Sequence, residues 1–202
     1  MKTLLIVDVQ NDFLLGGALA VPFGDEVIEV INKLMPKFEL VVATQDWHPA
    51  NHGSFASAHL GMKPFDVGRL GSVEQVMWPD HCVQGTSGAE LSSKLNSNAI
   101  EAIFRKGTDA MIDSYSAFYD NARMKSTGLG SYLKGRNVSE LFIVGLAADY
   151  CVGFSALDAL ELGFRTMVVD DATKPISEKD FIAMRQKIHN QGGAFLISSE
   201  IL

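Results

Sequence analysis

The sequence predicts an α/β fold, a three-layer sandwich in which helices cover both faces of a six-stranded, mainly parallel sheet. Two observations support this prediction. Apolar, β-branched runs recur six times along the 202 residues, and helical patterns lie between several of them. The runs are apolar almost throughout, as expected for strands buried on both faces, and the alternation of strands with helices implies right-handed crossovers between parallel strands.

The elements can be taken in order along the chain. The strand-like runs are residues 4–9, 40–44, 100–104, 141–146, 166–169 and 194–197. The clearest helical patterns are residues 25–34, 152–162 and 178–190. Ser177 with Asp180 three residues later predicts a helix start, and Gly163 after Leu162 predicts a helix end. Residues 47–88 lack strong periodicity, which predicts a functional loop region.

Composition limits the class of protein. A chain of 202 residues with 47% hydrophobic residues fits one globular domain, residues 1–202, with a substantial core. The net charge of −7 argues against a nucleic-acid surface. No run is long enough to span a membrane and no leader segment precedes the first strand, so no membrane partner is expected. Two cysteines suit a reducing compartment, and we expect a cytoplasmic protein.

Cys151 lies where the apolar run 141–146 passes through Gly, Ala and Asp residues into a helical pattern. The first turn of a helix presents free N–H groups and a partial positive charge, which favour a thiolate and can stabilise an oxyanion. Cys151 is therefore a candidate nucleophile. The alternative is a buried and inert cysteine, because free cysteine is among the most buried residue types.

Two further reactive side chains follow predicted strands. Asp8 comes at the end of the first strand, where a partly desolvated carboxylate can act as a base. Lys106 ends the third strand and can place an ammonium beside Asp8 or a thiolate. Asp8 could instead cap a turn, and Lys106 could be a solvated charge. Ligands of open α/β sheets bind at the carboxyl ends of strands, so the three together indicate one site.

A metal site is indicated by histidines grouped after the second strand. Asp46 and His48 are two residues apart, so extended backbone puts both side chains on one face, and His52 and His81 are near enough to join them. One carboxylate with up to three imidazoles suits one divalent Zn, Fe or Mn ion. His59 competes with His52 for this role, and all of these histidines could instead be satisfied loop residues.

Six segments together resemble the motifs of bacterial nicotinamidases, over residues 4 to about 171. They are Asp8-Val-Gln-Asn-Asp-Phe13, Thr44-Gln-Asp-Trp-His-Pro49, Trp78-Pro-Asp-His-Cys82, Lys106-Gly107, Asp113-Ser-Tyr-Ser-Ala-Phe118 and Gly145-Leu-Ala-Ala-Asp-Tyr-Cys151. The resemblance implies the isochorismatase-hydrolase-like fold. It also implies a metal-assisted cysteine amidohydrolase that converts nicotinamide to nicotinate and ammonia in NAD salvage, and that accepts pyrazinamide-like analogues.

Roles for single residues follow from the same resemblance. It implies that Cys151 is the nucleophile, Asp8 its general base, and Lys106 the group that orients and polarises the pair. Asp46, His48 and His81 would bind the metal. His52 is a metal ligand in some members of the family and not in others.

The resemblance also implies the surroundings of the reacting carbon. A cis peptide bond is expected between Leu146 and Ala147, with the N–H groups of Ala147 and Cys151 forming the oxyanion hole. Phe13, Trp78 and Tyr115 would line the ring pocket.

Rival hypotheses remain at this point. They are a hydrolase of another amide, an isochorismatase, and a metal-binding protein without turnover. An isochorismatase does not need Cys151, and a metal-binding protein leaves Asp8, Lys106 and Cys151 unexplained. The sequence leaves the oligomeric state open and admits a homo-oligomer.

Overall fold

A computed structural model describes residues 1–202, which form eight strands and four helices linked by loops and short 3-10 turns. In chain order these are β1 (Lys2–Val7), α1 (Glu26–Leu34), β2 (Leu40–Asp46), β3 (Val67–Leu70), β4 (Val73–Val76), β5 (Ala102–Lys106), α2 (Leu129–Gly135), β6 (Glu140–Leu146), α3 (Cys151–Glu161), β7 (Arg165–Lys174), α4 (Glu178–Asn190) and β8 (Ala194–Leu196).

Six strands form one sheet in the order β5-β2-β1-β6-β7-β8, and every neighbouring pair is parallel. The chain starts at β1, builds outward through β2 to β5, and returns to the other side of β1 with β6. The strand order therefore reverses at β1 and β6, whose carboxyl ends are the expected place for a site in such a sheet. All six predicted strands are present, which confirms the predicted fold class.

Alternating side chains of the central strands point to opposite faces of the sheet and build two separate cores. Leu4 and Ile6 pack on the face covered by α1, whereas Leu5 and Val7 pack on the face covered by α2, α3 and α4. All four of these side chains are fully buried. The three layers of the prediction are thus observed, and burial of both faces explains the continuous apolar runs in the sequence.

The predicted helices α1, α3 and α4 lie within one residue of their expected bounds. At the start of α4 the backbone N–H of Asp180 donates to the Ser177 hydroxyl at 3.3 Å, as the spacing indicated. Helix α2 was not predicted. It has seven residues and contains Gly130 and Gly135, so neither periodicity nor propensity marks it, and packing of Leu129 and Leu133 against the sheet stabilises it.

The region 47–88 is not only loop, because β3 and β4 form an antiparallel hairpin within it. Each of these strands has only four residues, too few to give a clear alternating pattern. No helix has the length and apolar character needed to cross a membrane.

Candidate active site and metal centre

The turn that carries Cys151 joins the end of β6 to the start of α3. Gly145 adopts φ +107°, and a Cβ on it would lie 2.0 Å from the carbonyl oxygen of Val7, so only glycine lets β6 approach β1 here. The peptide bond between Leu146 and Ala147 is cis, as the family resemblance implies. Cys151 is the first residue of α3 and is 8% exposed.

Some backbone donors of this turn have no acceptor within the protein. The N–H groups of Ala147 and Cys151 make no hydrogen bond, whereas those of Tyr150 and Val152 both donate to the Ala147 carbonyl, at 3.1 and 3.0 Å. The free donors flank the nucleophile turn at the positive end of α3. They are therefore available to an oxygen that approaches the sulfur of Cys151.

Asp8, Lys106 and Cys151 come together at the carboxyl edge of the sheet. Asp8 directly follows β1, and Lys106 ends β5 two strands away. The Lys106 Nζ lies 2.8 Å from the Asp8 carboxylate and 3.4 Å from the Cys151 Sγ, and it donates to the Ser114 carbonyl at 3.0 Å. The side chains of Asp8 and Lys106 are fully buried, so Lys106 is not the solvated charge that the sequence left open.

Burial and charge set the proton affinities of these groups. Burial raises the pKa of Asp8, partly opposed by the ammonium of Lys106, and so makes Asp8 a stronger base than an exposed carboxylate. Burial also raises the pKa of Cys151 well above its ordinary value, again opposed by Lys106. Burial disfavours the ammonium of Lys106, but Asp46 and Asp8 outweigh this effect and hold its pKa well above the usual range. The sulfur of Cys151 thus lies beside a buried carboxylate and a fixed cation.

Thr44 orients Asp8 and was not singled out by the sequence. Its hydroxyl donates to the Asp8 Oδ1 at 2.7 Å and accepts the backbone N–H of Asp8 at 3.2 Å. Thr44 lies on β2, beside β1, and is fully buried. Its position two residues before Asp46, on the same face of β2, is the signal that could have identified it.

Asp46, His48 and His81 place three ligand atoms within 4.8 Å of one another. The Asp46 Oδ2 lies 3.2 Å from the His48 Nε2 and 3.7 Å from the His81 Nε2. Burial works against the Asp46 carboxylate, but His48 and Lys106 outweigh it and hold the pKa of Asp46 well below its usual value. Asp46 is therefore a carboxylate, held in its ionised form, that faces two imidazole nitrogens.

The backbone fixes which nitrogen of each imidazole is free. The His48 Nδ1 lies 2.9 Å from the Gly107 carbonyl, and the His81 Nδ1 lies 2.8 Å from the Pro79 carbonyl. A carbonyl only accepts, so each Nδ1 carries a hydrogen, and Nε2, which faces Asp46, is the nitrogen that offers a lone pair to an ion when the ring is neutral. Gly107 has no room for a side chain, because a Cβ there would lie 2.3 Å from the His48 Cε1.

This donor set fits one divalent cation. Lys106 is the sole ammonium between two buried carboxylates, at 2.8 Å from Asp8 and 3.1 Å from Asp46, so the cluster has an excess of negative charge when its imidazoles are neutral, the form in which they bind an ion. A buried excess charge is costly unless a further cation balances it. One carboxylate and two imidazoles with open positions suit Zn, Fe or Mn.

His52 differs from the other two histidines in its hydrogen bonding. Its Nδ1 accepts the backbone N–H of Ser54 at 3.2 Å, and the Ser54 hydroxyl lies 2.7 Å from the same nitrogen. These partners assign the hydrogen of the neutral ring to Nε2, which has no partner in the protein. His52 groups with His48 and Asp113 within 4.8 Å. In this tautomer the Nε2 of His52 is a hydrogen-bond donor, whereas the Nε2 atoms of neutral His48 and His81 offer lone pairs.

The remaining sulfur and imidazoles lie outside this cluster. The His59 Nε2 bonds to the Gly53 carbonyl at 2.7 Å, which leaves it no role beside Asp46, and His189 is on α4. Cys82 is fully buried and lies in the apolar core, and burial raises its pKa well above the ordinary value. It is therefore a packed thiol.

An aromatic cavity connects the two groups of reactive side chains. The predicted ring contacts Phe13, Trp78 and Tyr115 line it, and it also contains Cys151, Ala147, Asp46 and His81. Its other lining residues, Leu19, Asp113, Tyr150 and Ile176, were not predicted. Tyr150 packs edge to face on Trp78, with 4.9 Å between the ring centres. Its position directly before Cys151 is the sequence signal that could have identified it as a residue of the cavity. The cavity suits a flat ring held between a sulfur and a metal centre.

The chain is similar to known proteins in both sequence and structure. The isochorismatase domain model matches residues 2–200. The nicotinamidase of Escherichia coli K12 is 49% identical over 180 residues, which cover 87% of this chain and 84% of that protein. The solved nicotinamidase and pyrazinamidase of Acinetobacter baumanii superposes with a TM-score of 0.97 at 46% identity, covering 100% of this chain and 98% of the other.

A third relative was solved with a metal ion. The pyrazinamidase of Pyrococcus horikoshii, in complex with zinc, superposes with a TM-score of 0.79 at 36% identity, covering 97% of this chain and 98% of the other. The domain match covers nearly the whole sequence, and these relatives share 36–49% of their residues with the chain, so the similarity is one of sequence as well as of fold. The chain belongs to the isochorismatase-domain family and, within it, to the nicotinamidases.

Proposed function

We propose that the protein hydrolyses the carboxamide of nicotinamide to nicotinate and ammonia, with Cys151 as nucleophile. The observation that carries the proposal is the convergence of Asp8, Lys106 and Cys151 beside an aromatic cavity that also contains Asp46 and His81. Relatives at 46–49% identity carry the name nicotinamidase. The reaction would serve NAD salvage, and the same pocket would accept pyrazinamide, whose ring has a similar size and shape.

In the first half of the reaction, Asp8 accepts the proton of Cys151 as the sulfur attacks the amide carbon. Lys106, 3.4 Å from the sulfur, stabilises the thiolate character that develops. The carbonyl oxygen becomes an oxyanion and accepts hydrogen bonds from the free N–H groups of Ala147 and Cys151. Asp8 then returns its proton to the nitrogen, and ammonia leaves behind a thioester.

In the second half, Asp8 takes a proton from water, and the resulting hydroxide adds to the thioester carbon. The same two N–H groups hold the second oxyanion. The C–S bond breaks, nicotinate forms, and Cys151 recovers its proton from Asp8. Asp8 thus acts alternately as base and acid, and its raised pKa brings it closer to the pH at which both roles are efficient.

Asp46, His48 and His81 are the residues that would hold one divalent ion, Zn, Fe or Mn. When bound, the ion would supply a Lewis-acid position for the ring nitrogen of the substrate and so orient the carboxamide toward Cys151. Phe13, Trp78 and Tyr115 would contact the ring faces and edges and exclude water. His52 remains a proposed fourth partner, and its tautomer favours a hydrogen bond to a ligand over a direct bond to the ion.

Turnover measured beside metal content tests this function. We expect the purified protein to release one ammonia per nicotinate from nicotinamide and to contain about one divalent ion per chain. Metal without ammonia release would favour the metal-binding protein, and cleavage of isochorismate without ammonia release would favour the isochorismatase.

Replacing Thr44 with valine should lower kcat on nicotinamide about tenfold, because Asp8 loses the hydroxyl that orients its carboxylate. The matched control is Thr3→Val. Thr3 is equally buried on β1, but its hydroxyl has no partner, so the same change there should leave kcat within about twofold. Steady-state ammonia release measures both variants, and an equal fall in both would contradict the role of Thr44.

Replacing His48 with alanine should lower the bound metal well below one ion per chain and raise KM for nicotinamide, because the site loses one of three close ligands. His59→Ala serves as control, since its ring bonds only to the Gly53 carbonyl. Metal analysis after dialysis measures occupancy. Unchanged occupancy in His48→Ala would remove this residue from the metal site.

The proposed function also implies a cellular compartment and a small-molecule partner. Both cysteines are free, and we propose the cytoplasm as the place of action. Nicotinamide is the proposed partner. The net charge of −7 makes a nucleic-acid partner unfavourable, which filter binding at low salt can test.

A further inference from the structure

Gln75 is a buried polar residue on an otherwise half-exposed hairpin. It lies on β4, where its neighbours Glu74 and Val76 are exposed and partly exposed, yet it is itself only 1% exposed. A buried amide is costly unless its donors and acceptor are satisfied. Its contacts therefore explain why the hairpin turns this side chain inward.

The amide of Gln75 bonds to the segment that forms one wall of the ring cavity. Its Nε2 donates to the Asp113 Oδ2 at 2.8 Å and to the Tyr115 hydroxyl at 2.9 Å, and it lies 2.8 Å from the Val76 carbonyl. Asp113 is an acceptor, so the nitrogen of the amide, and not its oxygen, must face it. Gln75 thus joins the hairpin to both Asp113 and Tyr115.

Asn121 completes this connection from the other side. Its Oδ1 accepts the backbone N–H of Tyr115 at 2.9 Å, and its Nδ2 donates to the Gln75 Oε1 at 3.4 Å. The backbone N–H of Asn121 donates to the Asp113 carbonyl at 2.8 Å. The backbone and the hydroxyl of Tyr115 are therefore held by different partners, which fixes the direction of its side chain.

Tyr115 lines two cavities. One is the ring cavity beside Trp78 and Cys151, and the other is an outer cavity. Hairpin residues Val73 and Glu74 line that outer cavity together with Phe154. Movement of the Tyr115 ring would join the two spaces, so the bonds that hold this ring also limit the size of the inner cavity.

We propose that Gln75 is a positioning residue that sets the size of the ring accepted by the site, by holding Tyr115 as the wall between the two cavities. This inference rests on the proposed hydrolysis of pyridine carboxamides. Gln75 acts through Tyr115 and Asp113 and does not touch Cys151. Loss of its bonds lets the ring of Tyr115 move outward, which weakens contact with a single ring and makes room for a fused one.

The test compares nicotinamide with quinoline-3-carboxamide, which carries the same pyridine carboxamide with a second ring fused to it. For Gln75→Leu we expect KM for nicotinamide to rise about tenfold with kcat within about twofold of the starting protein. The ratio of kcat/KM for the fused ring to that for nicotinamide should rise about tenfold. Gln186→Leu, the same substitution at an exposed glutamine on α4, should change neither quantity.

Tyr115→Phe tests the same bond from its other end with little disturbance of the fold. It removes the hydroxyl that accepts from Gln75 and keeps the ring, so it should shift KM and the ratio in the same direction. When Gln75→Leu is introduced into the Tyr115→Phe variant, the further change in KM and in the ratio of kcat/KM values should be smaller than the change that Gln75→Leu causes alone.

An unchanged KM and ratio in Gln75→Leu, with only a lower Tm, would overturn the inference, as would fully additive effects in the double variant. The proposed function is judged separately. Failure of the unaltered protein to hydrolyse nicotinamide would count against that function, whatever the variants do.

Discussion

Replacing Cys151 with alanine should abolish ammonia release from nicotinamide, lowering kcat by on the order of 10⁵-fold or more, because no thioester can form. Asp46, His48 and His81 are untouched, so metal content should stay the same. Coupled ammonia detection with metal analysis on one preparation measures both results. Retained turnover would mean that another group attacks the amide.

Cys82→Ala is the matched control for this change. Cys82 is the other free thiol, fully buried in the apolar core. The same removal of a sulfur should cost about 1–3 kcal/mol of folding stability through the cavity it leaves, yet kcat should stay within about twofold. The pair separates loss of a nucleophile from loss of a buried sulfur.

Replacing Lys106 with methionine should lower both activity and stability. The variant keeps the long apolar side chain but leaves the buried carboxylates of Asp8 and Asp46 without their shared ammonium. Removing one partner of a buried ion pair costs about 3–5 kcal/mol. We expect kcat to fall by about 10³-fold, since the thiolate of Cys151 also loses its cation. Urea unfolding and ammonia release measure the two effects.

The loss in Lys106→Met should depend on pH in a defined direction. Lys106 lowers the pKa of Asp8, whereas burial raises it, so removal of Lys106 should raise this pKa further. A carboxyl group with a raised pKa in the folded state favours folding while it is protonated and loses that contribution as pH rises through its folded-state value. The stability deficit should therefore grow as pH rises above 3.8, the ordinary value for aspartate. A deficit that shrinks with rising pH would contradict this account.

Lys174→Met is the control for removing a lysine from an ion pair. Lys174 pairs with Glu26 at 2.9 Å, but both side chains reach solvent, with 29% and 60% exposed. Exposed ion pairs contribute about 0–1 kcal/mol, so stability and its pH dependence should change little. The contrast between the two lysines isolates the effect of burial.

The sequence by itself determined the sheet, three of the four helices and the residues at the strand ends. Strands buried on both faces must be apolar throughout, so the six runs were visible without any knowledge of their pairing. A polar residue that ends such a run is equally visible. Asp8, Lys106 and Cys151 could therefore be selected, because the ends of parallel strands meet at one edge.

Only the tertiary structure decided how these residues are connected. It placed Lys106 between Asp8 and Asp46, paired Thr44 with Asp8, and set the tautomer of His52 through Ser54. It also turned Gln75 inward to Tyr115 from a hairpin that the pattern did not reveal. Periodicity reports which residues are buried, whereas these contacts join distant parts of the chain and depend on side-chain directions at a few ångströms. That information exists only once the chain has packed.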